Sequence, residues 1–230
     1  MTALRSALFL AWFLAVTTVL SLVFLPVLIL PRGATVWLAR LWSRATFFGL
    51  KWFAGVDWEI RGEVPQGPVL VASKHMSMWD TLALYLALDA PAIVLKRELL
   101  RIPFYGWFLW KATAIAIDRG AGASAMRKMS AAARAVLAEG RPILIFPEGT
   151  RRKPGAAPDY KPGVAGLYTL LGVACVPVAL NSGVYWTGFL KYPGTIVLEF
   201  LEPIPPGLKR PAFMALLEGH IEAATAALLT

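Results

Sequence analysis

The sequence predicts an α/β domain: a mostly parallel layered sheet flanked by helices, preceded by an N-terminal two-helix membrane-binding element. Three observations carry that prediction. From residue 56 onward, short apolar runs alternate with longer helical stretches, the rhythm of strand–helix units. Several of those runs are apolar on both faces, as parallel strands buried between helix layers must be. Before them, residues 1–55 have a different texture, with a long uncharged segment followed by a stretch rich in arginine and tryptophan. The division expected is therefore residues 1–55 for the anchor and 56–230 for the α/β domain.

Composition narrows the classes further. Hydrophobic residues make up 57% of the 230 and charged residues only 16%, with a formal net charge of +9. One cysteine excludes a disulfide scaffold, and the apolar excess excludes a disordered chain. Two histidines, one cysteine and no HExxH leave metal chemistry short of ligands. There is no GxxxxGK[ST] loop and no GxSxG elbow. A basic, aromatic-rich, very apolar chain suits anionic membrane lipids better than a nucleic acid.

Between Arg5 and Arg32 lie 26 uncharged residues, long enough as a helix to span a hydrocarbon core of roughly 30 Å. Pro26 and Pro31 limit it. A cleaved signal peptide is the alternative, but the segment is too long and lacks an A-x-A site. Residues 34–54 follow, with Arg40, Arg44 and Lys51 on one helical stripe and Trp37, Trp42, Phe48, Trp52 and Phe53 around them. That pattern predicts a helix in the membrane interface, its basic stripe towards lipid headgroups. Only Arg5 precedes the apolar segment while several cations follow it, so the α/β domain is expected on the cytoplasmic face, at the inner membrane if the source is bacterial. Whether the first segment spans or re-enters as a hairpin is left open.

Strands are expected at 57–61, 68–73, 92–96, 112–118, 142–147, 175–181 and 195–203, and helices at 79–89, 122–139, 163–172 and 211–229. Ligands in open α/β sheets bind beyond the carboxyl ends of strands, so the residues there are the candidates for chemistry. After the second strand come His75 and, five residues on, Asp80. Ser77 and Asp80 fit a capping box for the helix that follows. A chain reversing at that point can bring the carboxylate to the imidazole, as in a catalytic triad. The alternative is a capping aspartate beside an unrelated surface histidine. Other strand ends carry Lys96, Arg119 and the run Pro147-Glu148-Gly149-Thr150-Arg151. Converging on one edge, they would form a phosphate-sized cationic pocket beside the His–Asp pair. Cys175 reads as a buried core thiol and His220 as a helix-surface residue.

Four blocks in order resemble the 1-acylglycerol-3-phosphate acyltransferase family, within the wider glycerolipid acyltransferases. They are His75…Asp80, Ile117-Asp118-Arg119, Phe146-Pro147-Glu148-Gly149-Thr150-Arg151 and Val176-Pro177-Val178. The first and third are the specific ones. The resemblance implies that His75 is the catalytic base and Asp80 its orienting partner. It also implies that Arg119, Glu148, Gly149 and Arg151 bind the glycerol phosphate acceptor, and Lys96 and Thr150 complete the substrate-binding set. Family members often carry Asn before the histidine, where this chain has Lys74. The activity implied moves a fatty acyl chain from an acyl thioester, of acyl carrier protein or coenzyme A, to the free hydroxyl of lysophosphatidic acid. The product would be phosphatidic acid, in phospholipid synthesis. No cofactor and no metal are expected. The near rival is the same chemistry on another lysolipid such as lyso-ornithine lipid; the far one is a non-enzymatic adaptor on anionic membranes.

Overall fold

The computed structural model describes residues 1–102, 105–117 and 122–230. Its first two helices, α1 (Thr2–Val23) and α2 (Arg32–Gly49), form an antiparallel hairpin joined by a helical turn over Leu25–Ile29. Pro26 stands at the start of that turn and Pro31 caps α2, so the prolines bend the chain where their missing N–H groups cost nothing. Indole donors hold the pair together: Trp12 Nε1 donates to Ala45 O at 2.8 Å and Trp42 Nε1 to Thr17 Oγ1 at 2.9 Å. A widened turn over Leu50–Ala54 follows α2 and ends at Gly55, whose φ of 72° is left-handed.

The sheet is seven-stranded among the described residues. Its strands are β1 (Val56–Arg61), β2 (Leu70–Ser73), β3 (Ala92–Lys96), β4 (Ile115–Ile117), β5 (Ile143–Ile145), β6 (Cys175–Leu180) and β9 (Gly194–Phe200). They run in the order β1-β9-β6-β2-β5-β3-β4, and every neighbouring pair is parallel except β6 with β9. A small hairpin, β7 (Trp186–Thr187) and β8 (Leu190–Lys191), stands apart from it.

Alternation along the inner strands builds two core layers. Val71 and Leu144 point towards α2 and α3 (Trp79–Ala87), while Leu70, Ala72, Ile143 and Ile145 face the other way. That second layer is covered by α5 (Gly122–Ala138), α6 (Gly163–Leu171) and α8 (Arg210–Leu229). In α8, Phe213, Leu217 and Ile221 recur every four residues and all are buried.

The expected elements occur, with shifted ends and additions. Among the described residues of the 112–118 run, strand form is kept at Ile115–Ile117, because the first residues close a helix the sequence reading did not assign, α4 (Tyr105–Lys111). Ala112 N donates to Phe108 O and Thr113 N to Trp110 O, and Thr113 takes a φ of 59°. The four-residue helix α7 (Ser182–Tyr185) and the β7–β8 hairpin are likewise additions.

The basic stripe of α2 and the turn after it is arranged differently from the expectation that all three cations face lipid. Arg40 reaches Leu88 O and Asp89, each at 3.2 Å, and Lys51 pairs with Asp57 at 2.7 Å, while Arg44 stays exposed. The α/β domain carries carboxylates and carbonyls within reach of those two side chains, which therefore help dock α2. The Trp12 indole of α1 packs directly on Gly49: a Cβ there would lie 2.0 Å from Trp12 Cδ1. We expect Gly49→Val to cost about 1–3 kcal/mol through overpacking. A lower melting temperature with faster proteolysis in the 24–31 turn would report the loosened hairpin; unchanged values would show that the indole swings aside freely.

Candidate active site

His75 and Asp80 are brought together by the turn between β2 and α3. The imidazole Nδ1 lies 2.8 Å from Asp80 Oδ2, and the ring stacks on Phe146 with centroids 3.9 Å apart. Asp80 has no solvent exposure. Its Oδ2 also accepts the backbone N–H groups of Met76 (2.7 Å) and Ser77 (2.9 Å). Its Oδ1 accepts the hydroxyls of Ser77, at 3.0 Å, and of Ser182 on α7. Trp79 N donates to Ser77 Oγ at 3.1 Å, so the capping predicted for Ser77 and Asp80 takes place within the same network. Burial pushes the Asp80 carboxyl up, but the bond and charge of His75 and the donors from Ser182 and Ser77 outweigh it and hold it below the ordinary range. A buried, fully bonded carboxylate beside an imidazole keeps the ring in one tautomer, with Nδ1 as the donor and Nε2 as the free base.

The parallel order puts the carboxyl ends of β2, β5, β3 and β4 on one edge, and a cavity of about 640 Å³ opens there. His75, Lys96, Gly149, Thr150 and Arg151 all line it, together with Lys161 at the start of α6. The rest of the wall is largely apolar, with Ile93, Leu95, Leu109, Ile117 and Met129 among the side chains. Gly149, with a φ of 64° and its N–H on Phe146 O at 2.9 Å, turns the loop after β5 back across that opening. Arg119 and Asp118 lie outside the described residues.

Glu148 takes a different direction from its neighbours. It is 1% exposed and lies behind the cavity, where Oε1 accepts Lys74 Nζ at 3.0 Å. The same ammonium reaches Glu222 Oε1 on α8 at 2.7 Å, and Tyr160 donates its hydroxyl to that oxygen at 2.8 Å. Lys74, noted in the sequence as a departure next to the histidine, thus serves this buried network and not the cavity. Sequence reading missed Ser182, Glu222 and Tyr160. Each lies over sixty residues from its partner, and a serine after a strand or a glutamate in an amphipathic helix carries no signal of its own.

A model of the family described as Acyltransferase matches residues 56–181, more than half of the chain. The chain belongs to the acyltransferase family. A 1-acyl-sn-glycerol-3-phosphate acyltransferase of Pseudomonas aeruginosa is 38% identical over 159 residues, covering 67% of this chain and 62% of that protein. The chain therefore spans just under two thirds of that relative's length. A lyso-ornithine lipid O-acyltransferase of the same organism is 32% identical over 145 residues, covering 63% of this chain and 52% of its own. The crystal structure of a 1-acyl-sn-glycerophosphate acyltransferase from Thermotoga maritima shares the fold with a TM-score of 0.81 at 20% identity, covering 100% of this chain and 98% of that one.

The depressed carboxyl makes a test of the Asp80 network. The unfolded chain takes up its proton near pH 4, the folded one only at lower pH. Stability from this group is therefore present above about pH 4 and lost as pH falls towards the native value. Asp80→Asn should lack that part of the acid slope in unfolding experiments. An identical slope in both proteins would mean that the carboxyl's environment contributes nothing to folding.

Proposed function

We propose that this acyltransferase moves a fatty acyl group from an acyl thioester to the free hydroxyl of lysophosphatidic acid at a membrane surface, forming phosphatidic acid. The observation that carries the reading is the His75–Asp80 pair in a cavity lined by Lys96, Arg151 and Lys161 together with apolar side chains. Names of the relatives support the same acceptor.

In this reading Nε2 of the neutral imidazole takes the proton of the acceptor hydroxyl as that oxygen attacks the thioester carbonyl. Asp80 stabilises the imidazolium that forms. The tetrahedral intermediate collapses, the C–S bond breaks, and the thiolate leaves and takes up the proton from His75. The new ester stays on the lysolipid. Neither Ser77 nor Ser182 acts as a nucleophile, since both hydroxyls are buried on Asp80. Lys96, Arg151 and Arg119 are the phosphate ligands, with Thr150 and the Gly149 backbone beside them. Glu148 acts through Lys74, by holding the loop that carries Arg151.

A second cavity of about 430 Å³ lies between α1, α2, α3 and α4; Leu20, Leu22, Leu38, Leu82, Ile93 and Phe108 line it, interspersed with threonine and serine hydroxyls. It shares Thr81, Ile93 and Leu109 with the catalytic cavity. This common wall, with the aliphatic side chains around it, supports an acyl chain as the substrate group held next to the catalytic cavity. Helix α1 has the length and hydropathy to enter a bilayer, and exposes Leu4, Leu8, Leu14 and Val19. Its N-terminal end is held by Arg5 Nε, which donates to Phe53 O at 3.0 Å, and by Ser6 Oγ, which accepts Lys191 N of the domain, while Leu20 and Leu22 near its other end line the second cavity. A helix folded back on α2 and fastened to the domain at its N-terminal end favours lying in one leaflet, on the cytoplasmic face that the charge bias suggests.

His75→Ala should lower turnover about 10²–10⁴-fold with folding and vesicle binding retained, the usual contribution of a general base. Near-wild-type turnover would remove His75 from the chemistry. The acceptor is tested with Arg151→Lys, where loss of the guanidinium fork should cost about tenfold to a hundredfold in kcat/KM on lysophosphatidic acid. Lyso-ornithine lipid, which has no phosphate, should be affected less. Preference for that lipid by the unaltered protein would make it the substrate. Running acyl carrier protein and coenzyme A thioesters in parallel identifies the donor.

A further inference from the structure

We propose that α4 is a second membrane contact of this chain, the face of Trp107 and Trp110 resting among the headgroups of an anionic bilayer beside the α1–α2 turn. The proposal rests on the membrane reading above and adds a surface that the apolar segment of α1 does not include.

Trp107 and Trp110 are three residues apart and so share one face of α4. They are 48% and 72% exposed. On the neighbouring turn Ile29 and Leu30 are 85% and 47% exposed, and Ile102, just before α4, is 44% exposed. A groove of about 360 Å³ separates the two, lined by Leu28, Leu100, Trp107, Trp110 and Lys111. The α4 side of it is held close: Gly106 N donates to Ile102 O at 2.8 Å, and a Cβ on Gly106 would lie 2.2 Å from Leu100 O. The apolar patch of α4 therefore stands beside the exposed turn of the helical hairpin, with Leu28 on the far wall of the groove.

Its chemistry selects the occupant. Lys111 lies at the end of α4 and Arg101 is exposed in the preceding turn, while α4 itself has no acidic residue. Exposed indoles flanked by cations suit the boundary between headgroups and acyl chains of anionic lipid. A second copy of the chain would bring another net charge of +9 to the same place. The opposite face of α4 gives the contact a purpose, because Leu109 lines both cavities and Phe108 the apolar one. Seating α4 in the headgroup layer puts the wall of both cavities at the depth where a lysolipid lies.

The test labels the full chain at Trp110→Cys with a polarity-sensitive fluorophore. Cys175 is fully buried and does not compete for the label. Leu216→Cys, on the exposed side of α8 over the other face of the sheet, is the control, and Trp107→Cys stands in if the first variant does not fold. Vesicles of phosphatidylethanolamine and phosphatidylglycerol carrying brominated acyl chains provide the surface. The expected result is a blue shift and bromine quenching at position 110 or 107 and neither at 216. Replacing Arg101 or Lys111 by Gln should weaken binding to these vesicles about fivefold each, the effect of one basic residue at an anionic surface. Protein that sediments with the vesicles yet shows no quenching at 110 and 107 would overturn the proposal and leave the α1 anchor standing. Protein that does not sediment at all would overturn the membrane reading itself. A blue shift that grows with protein concentration in the absence of vesicles would assign the patch to a second copy and also overturn it.

Discussion

The site is organised around a carboxylate that has no access to water. An isolated charge at that depth would cost several kcal/mol, so Asp80 is tolerable only where donors surround it. Two come from the backbone of the turn it closes, at Met76 and Ser77, and two are the hydroxyls of Ser77 and Ser182. The last donor is the ring of His75. Satisfying the aspartate therefore dictates the path of the 75–80 turn and the orientation of the imidazole together. It also requires β6 to lie next to β2, because that adjacency delivers Ser182.

Lys74 applies a similar constraint on the other side of the same segment. Its ammonium is 2% exposed and bridges Glu148, in the loop after β5, to Glu222 on α8. Buried ion pairs of this kind add little net stability over an apolar equivalent, but breaking one leaves an uncompensated charge. Tyr160 strengthens the set: burial and its bond to Glu222 push the phenol upward, so it remains a donor. The last helix is thereby tied to the loop that carries Gly149, Thr150 and Arg151, and the cavity inherits its shape from a network it does not contain.

At the N-terminus the ordering forces are aromatic. Phe47 stacks on Trp79 at 5.4 Å, and Trp58 meets both rings edge-on, so α2, β1 and α3 share one aromatic cluster. Phe9 packs edge-on against Trp186 of the small hairpin, and Lys191 lies over that indole at 4.6 Å. Burial lowers the Lys191 ammonium to about 8. These contacts fasten α1 to the domain along its inner side and leave its outer side apolar and exposed.

The sequence by itself determined the alternation of strands and helices, the buried character of the inner strands, and the strand ends where His75, Lys96 and Gly149–Arg151 gather. These are local properties, set by hydrophobic period and by residues a few positions apart, such as Ser77 and Asp80. It set Glu148 towards the acceptor and the basic stripe of residues 40–51 towards lipid headgroups, and both have other partners in the structure. Helical spacing puts Arg40 and Lys51 on one stripe of the 34–54 segment but says nothing of Asp89 and Asp57, which pair with them. A motif likewise places Glu148 next to Gly149 without revealing that its carboxylate turns inward to Lys74. Helix α4 hid in a run that reads equally well as strand or loop, until the left-handed Thr113 ended it. The tertiary structure alone decided these partnerships. Ser182, Glu222 and Tyr160 come from parts of the chain 62 to 148 residues distant, and only the order of strands in the sheet brings them within hydrogen-bonding reach.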